Sequence, residues 1–217
     1  MLPQYSYAEA VDFIMNSGFD GVEISAFDKH FHLREEFCAP GFAAAMHDAM
    51  ARSGVRGFSV SAHMDYTETP EAFDLICKLI RVAAEMKSEY IIINGAIRRE
   101  NEEYEAQWEA MIQRTRELAH MAGELGLRLA VEYEPGFVID NTELLLRAFR
   151  EVDSPVMGIN CDIGHVFLCD PDPLYAIEQS APYILQCHVE NMARGIHDHL
   201  VPWEGDMDLP AYITKLR

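Results

Sequence analysis

Met157-Gly-Ile-Asn-Cys-Asp-Ile-Gly-His165 is the stretch on which the reading of the fold turns. Val156 to Ile159 is a short apolar run closed by Asn160, Cys161 and Asp162, and His165 follows Asp162 by one helical turn's spacing. An apolar run of that length bounded by polar residues reads as a buried strand of a parallel sheet. In barrels built from such strands the chemistry lies where strands give way to loops. A carboxylate and an imidazole at that place are positioned to share or adjoin a metal ion. For a single Asp-x-x-His the plainer reading is a carboxylate capping a turn beside a core histidine. The other strand ends decide the matter, because they carry residues of the same kind.

Upstream, Gly57 to Ala62 reads as a strand delivering His63, and Tyr90 to Asn94 as a strand closed by Gly95. Leu127 to Val131 hands over to Glu132, and downstream Tyr183 to Cys187 ends in His188. Gly21 to Ser25 is the earliest strand legible in the chain. Helical patterns separate all of these. Ser6-Tyr-Ala-Glu9 is a capping box ahead of a helix that stops at Ser17-Gly18. Phe42 to Arg52 is helical up to Gly54, Pro70 opens a helix through Leu75, Leu79, Val82 and Met86, and Glu102 to Leu125 is a long helix stopped by Gly126. Asn141 or Thr142 caps a helix reaching Val152, Pro173 begins another, and Leu209 to Arg217 begins a last one. Strict alternation of helix and strand with crossover-length connections implies parallel strands and an α/β architecture. Nothing in the composition marks a boundary, so residues 1–217 read as a single domain.

The 17 basic and 36 acidic residues give a formal charge of −19. Such a surface repels phosphate backbones and anionic membranes, which argues against a nucleic-acid or membrane partner and leaves a small molecule in a pocket as the expected one. The five cysteines are scattered and form no CxxC, as expected of reduced thiols in a cytoplasmic protein. The first residues lack a basic segment followed by an apolar one, so no signal peptide is expected, and no apolar run is long enough to cross a bilayer. Without a Gly-x-Gly-x-x-Gly at a helix start, a dinucleotide fold has no direct support.

Four strand ends therefore offer ligand-competent groups: His63, Glu132, Asp162 and His188. Carboxylates and imidazoles together suit zinc, manganese, iron or cobalt, and an ion would offset the cost of burying them side by side. Asn94, at the remaining strand end, is a poor ligand. Tyr66 and Trp203 could stack on a sugar, His30 and His32 sit on an aromatic loop, and Glu23, Glu134 and Glu190 are carboxylates near strand ends with salt-bridge or turn roles as the alternative. Glu190 has Arg194 as one candidate partner.

At these residues the chain resembles the sugar phosphate isomerase/epimerase branch of the xylose-isomerase-like TIM barrels, a group that includes the endonucleases cutting at abasic sites. The resemblance is carried by Gly18-Phe-Asp-Gly-Val-Glu-Ile24, Ser61-Ala-His63, Ala130-Val-Glu132, Cys161-Asp-Ile-Gly-His165, Cys187-His-Val-Glu190 and His197-Asp-His-Leu-Val-Pro-Trp-Glu-Gly-Asp206. It implies a (β/α) barrel of which about six of the eight strands lie in this chain, with a strand expected before the Ser6 helix and another, bearing a further metal-binding glutamate, after the Leu209 helix. It also implies that Glu132, Asp162 and His188 hold one divalent metal (manganese, zinc, cobalt or magnesium), that Glu132 and His165 are catalytic, and that His63, His165, Arg194 and Trp203 meet the substrate. His165, His197 and His199 match the positions that hold a third metal in the endonuclease branch, whose own pattern has an aspartate where His197 stands and a histidine where Asn94 stands. Here they are a candidate second metal site, with a solvated polar loop as the favoured alternative for His197 and His199.

The function so implied is isomerisation or epimerisation of a small sugar, sugar phosphate or related hydroxy-carbonyl compound through an ene-diolate. A metal-dependent phosphodiesterase of the endonuclease type is the alternative, and a barrel that keeps the fold with impaired turnover is a third. An open sheet edge between the first and last strands would invite a second copy of the chain to cover it.

Overall fold

The computed structural model describes residues 2, 4–26 and 35–217. His30 and His32, considered above as pocket-lining residues, lie outside the described residues. Two compact units divide the chain, Met1–Ile93 with Glu117–Leu129, and Asn94–Arg116 with Ala130–Arg217.

In the first unit the capping box forms as the sequence requires: the Ser6 hydroxyl accepts from the Glu9 N–H, and the Glu9 carboxylate accepts from the Ser6 N–H at 2.9 Å. Helix α1 (Tyr7–Asn16) follows, then β1 (Gly21–Ser25), α2 (Phe42–Ser53), β2 (Gly57–Ser61), α3 (Pro70–Glu85) and β3 (Tyr90–Asn94). Pro70 occupies the first turn of α3 while the Thr69 side chain accepts from the Ala72 N–H at 3.1 Å. β1 pairs with β2 and β2 with β3, all parallel, and Ile91, Ile92 and Ile93 are fully buried, as expected of a strand covered on both faces. Tyr66 is also buried, at 1% exposure, and Ser59 donates a hydrogen bond to Glu23 at 3.3 Å across the β1–β2 pair.

Helix α4 (Tyr104–Glu124) and strand β4 (Arg128–Glu132) come next, and Ala130–Glu132 lie in the second unit. That unit continues through α5 (Thr142–Val152), β5 (Met157–Asp162), α6 (Ile163–Cys169), α7 (Pro173–Ser180), β6 (Ile184–His188) and α8 (Leu209–Lys215). Side-chain oxygens of Asn141, Asp172 and Asp208 cap α5, α7 and α8. The six strands follow in the sheet in sequence order, with β1 and β6 at its two ends. Sequential parallel strands joined by helical crossovers are the arrangement of a (β/α) barrel, here with six strands among the described residues.

The elements around the last two strands differ in detail from the sequence expectation. β5 runs through Asp162, beyond its apolar run, and the next seven residues form α6, which the sequence reading left as a turn. Asp162 keeps extended dihedrals (φ −78°, ψ 107°) while its side chain caps the helix that follows, so strand and helix meet at one residue. β6 begins at Ile184 because Ala181–Tyr183 form a 3-10 turn.

The β5–β6 pair sets the site's register. Asn160 lies opposite Gln186, Cys161 opposite Cys187, and Asp162 opposite His188. Side chains alternate along a strand, so Asn160 and Asp162 share a face. Leu185 packs over Gly158, where a Cβ would come within 2.2 Å of its Cγ and Cδ1. Gly158→Ala is therefore expected to destabilise the protein by about 1–3 kcal/mol in urea unfolding, with Leu185→Ala in the same chain recovering part of the loss.

Candidate metal centre

Glu132, Asp162 and His188 are the last residues of β4, β5 and β6 respectively. Glu132 and Asp162 are 2% and 4% exposed, and the His188 side chain is 25% exposed. His188 Nδ1 lies 3.2 Å from Glu132 Oε2 and 3.7 Å from Asp162 Oδ2. One potential ligand atom from each of the three falls within 4.8 Å of the others. Asp162 divides its carboxylate between two tasks. Oδ1 accepts from the Gly164 and His165 N–H groups at 2.9 and 3.0 Å, capping α6, which leaves Oδ2 for the His188 side.

The chemistry of this donor set fits a divalent cation. Two nearly dry carboxylates repel one another, and an ion between them and an imidazole nitrogen offsets both the repulsion and the lost hydration. Mixed oxygen and nitrogen donors suit zinc, manganese or cobalt.

His165, in the first turn of α6, is 2% exposed and stands beside the three. Its Nδ1 lies 2.8 Å from the Tyr133 carbonyl oxygen, which can only accept, so Nδ1 carries the hydrogen and Nε2 presents a lone pair. Burial lowers the ring's pKa, which favours the neutral form. Tyr133 is itself fixed, its hydroxyl donating to Asp170 at 2.6 Å, while Asp170 also accepts from the Thr142 N–H at 3.2 Å. His165 Nε2 faces His197 Nε2 at 2.9 Å, and nitrogens of His165, His197 and His199 fall within 4.8 Å of one another. Burial also lowers His197, whereas a hydrogen bond to Glu190 raises His199.

The loop bearing these two histidines is anchored by Asn191, which is 4% exposed. Asn191 forms an antiparallel bridge with Leu200, its Oδ1 accepts from the Met192 and Met207 N–H groups, and its Nδ2 donates to the Pro202 carbonyl. Gly205, at φ +93°, turns the loop where a Cβ would strike Asn191 Oδ1. Glu190, whose pKa burial raises, accepts from the Gly164 N–H at 3.1 Å and reaches His199 at 4.0 Å.

The remaining candidates are distributed differently. Arg194 stacks its guanidinium 4.6 Å over the Phe167 ring, and its N–H donates to Asp206 at 2.8 Å. Trp203 is 81% exposed. His63 follows β2 in the first unit and is half-buried. Asn94 donates to Glu134 Oε1 at 3.2 Å. Asn160 and Asn191 escaped the sequence reading. For Asn160 the available signal was a polar residue two positions before Asp162, hence on the same face of a strand that is otherwise apolar up to that point.

A family model described as Xylose isomerase-like TIM barrel matches residues 11–217. The 3-dehydroshikimate dehydratase of Bacillus anthracis is 20% identical over 199 residues, covering 90% of this chain and 70% of that protein. An inosose dehydratase of Geobacillus kaustophilus (strain HTA426) is 23% identical over 92 residues, covering 42% of this chain and 30% of its own length, so that match spans less than a third of the relative. Among solved structures, a D-tagatose 3-epimerase-like protein superposes with a TM-score of 0.84 at 21% identity, covering 97% of this chain and 82% of the other. IOLI protein with a binding zinc atom superposes with a TM-score of 0.82 at 14% identity, covering 98% and 80%.

Asp162→Asn separates the two tasks of that carboxylate, because asparagine caps about as well as aspartate but brings no charge. Calorimetric titration with manganese or zinc is expected to show affinity reduced by about tenfold or more, with the midpoint of thermal unfolding of the metal-free protein little changed. Undiminished affinity would remove Asp162 from the ligand set.

Proposed function

The chain belongs to the Xylose isomerase-like TIM barrel family, and from that premise we propose that it is a divalent-metal-dependent enzyme removing the proton beside the carbonyl of a small polyhydroxylated ketone, as a sugar isomerase or epimerase does. The observation that carries this reading is the meeting of three strand-end ligands with a buried histidine of fixed tautomer.

Glu132, Asp162 and His188 would hold the ion, which supplies a Lewis acid to polarise the carbonyl and its neighbouring hydroxyl. Glu132 is assigned as the group that takes the α-proton, its carboxylate lying 3.5 Å from His165 Nδ1 and 3.2 Å from His188 Nδ1. His165 is the second acid/base group. With Nδ1–H committed to the Tyr133 carbonyl, Nε2 is the atom that accepts or returns a proton, and His197 at 2.9 Å can pass it on. The low exposure of Glu132 and His165 keeps water from competing for that proton.

Dehydration is a second reading, favoured by the matches to inosose dehydratase and 3-dehydroshikimate dehydratase. It begins with the same proton removal and differs in the next step, where a hydroxyl leaves instead of the proton being returned. A phosphodiesterase acting on DNA is disfavoured by the −19 charge.

The test is solvent exchange. Manganese- or cobalt-loaded protein is incubated in deuterium oxide with a panel of ketohexoses and cyclic polyhydroxy ketones, and the α-position is followed by NMR. Deuterium is expected there for at least one member, with an epimer or isomer accumulating. Ultraviolet absorbance from a conjugated enone would establish the dehydration reading, and no exchange with any member would overturn both. His165→Gln is expected to slow exchange by about 10²–10⁴-fold at unchanged metal content.

A further inference from the structure

Asn160 occupies the middle of the ligand set, and its hydrogen bonding is unusual for a core asparagine. It is 1% exposed, and on β5 it shares a face with Asp162. Its amide nitrogen is in close contact with Glu132 Oε2 and lies 3.0 Å from His188 Nδ1. These are atoms from two of the three residues that would hold the ion. Its amide oxygen is buried and has no hydrogen-bond partner among the described residues. Buried amide oxygens are normally satisfied, so this one calls for an explanation.

The two ends of an asparagine amide are nearly equal in size, and a half-turn about the last side-chain bond exchanges them without moving the backbone. Which end faces Glu132 and His188 depends on what lies between them. With only acceptors there, the NH₂ end is attracted, as observed. With a divalent cation there, the N–H hydrogens are repelled and the oxygen, carrying the negative end of the amide dipole, is attracted.

We propose that Asn160 is a fourth protein ligand of the ion, its amide oxygen turned into the place that Nδ2 takes between Glu132 and His188. This rests on the reading that Glu132, Asp162 and His188 hold a divalent metal. Asn160 then serves as a neutral oxygen donor, joining the shell without itself adding a negative charge beside two buried carboxylates. Amide oxygens are ordinary ligands for hard divalent ions such as manganese and magnesium. In the metal-free protein the same side chain acts as a placeholder, its N–H group partly neutralising Glu132.

Two variants test it. Asn160→Leu keeps the branched shape and removes both polar ends, and Asn160→Asp keeps the oxygen and adds a charge. Calorimetric titration with manganese is expected to show affinity lowered by about tenfold or more for Asn160→Leu, and equal to or above that of the parent protein for Asn160→Asp. Like-charge repulsion should at the same time lower the unfolding temperature of metal-free Asn160→Asp. With cobalt as the probe, the visible absorption band should change in position and intensity for Asn160→Leu and stay near the parent's for Asn160→Asp. Parent-like manganese affinity of Asn160→Leu, or Asn160→Asp binding as weakly as Asn160→Leu, would overturn the proposal, and circular dichroism confirms that each variant is folded. Asp162→Asn serves as the control. If it loses the ion while Asn160→Leu keeps it, the metal site stands and only the role of Asn160 falls. If Asp162→Asn and Asn160→Leu both bind as the parent does, the ion is held elsewhere and both fall.

Discussion

The arrangement of this site depends on how one carboxylate is shared. Asp162 gives Oδ1 to the N–H groups of Gly164 and His165 in the first turn of α6 and keeps Oδ2 for the side where His188 stands. The capping bonds hold the side chain in one rotamer, so the free oxygen has a fixed direction without help from an ion. They also set where α6 begins, and so where His165, in its first turn, comes to lie. The potential ligand Asp162 and the buried His165 are thus positioned by the same interaction. The parallel register does the rest by bringing His188 opposite Asp162 and Gln186 opposite Asn160.

Much of this was legible in the sequence because alternation of apolar runs and helical periods is a robust signal. β2 stops at Ser61 and leaves His63 two residues beyond it, whereas β4, β5 and β6 each proved to end on the ligand candidate, although the apolar runs read from sequence stopped one to three residues short. The shortfall arises where a polar residue remains in the strand because its side chain has a site or cap to serve, as at Glu132, Asp162 and His188. Helix α6 was missed for a related reason. Ile163-Gly-His-Val-Phe-Leu-Cys169 is too short and too uniformly apolar to show a period, and its second residue is a glycine, so its identity depends on the cap supplied by Asp162. Trp203 illustrates the opposite case. Its aromatic character suggested a stacking role, but nothing in a single sequence reveals that the ring is 81% exposed.

The partners of Asn160 and Asn191 were hidden for a deeper reason. An asparagine at the end of an apolar run looks like punctuation, and its meaning lies in partners that are far apart in sequence. Asn160 meets Glu132 and His188, each 28 residues away. Asn191 gathers the backbone of Met192, Pro202 and Met207 into one turn, and the histidines in that loop take their places from it. Such long-range polar contacts leave no periodic trace.

The overall charge and the site are linked by electrostatics. A chain carrying −19 draws cations and repels polyanions, and Asp162, grouped with Glu132 and His188 on one side and with Glu190 and His199 on the other, concentrates that preference locally. Burial makes it expensive for Glu132 and Asp162 to remain together as anions without a counter-charge, so on the proposed reading the free energy of binding a divalent ion would be partly relief of a cost already present in the fold. A neutral oxygen donor at Asn160 is consistent with this balance. A third carboxylate would bind the ion more tightly but would also make the metal-free protein less stable and leave the bound ion a weaker Lewis acid, because each anionic ligand offsets part of its charge. On the proposed reading, two carboxylates, one imidazole and one amide would hold the ion while leaving it more of the positive charge that α-proton removal requires.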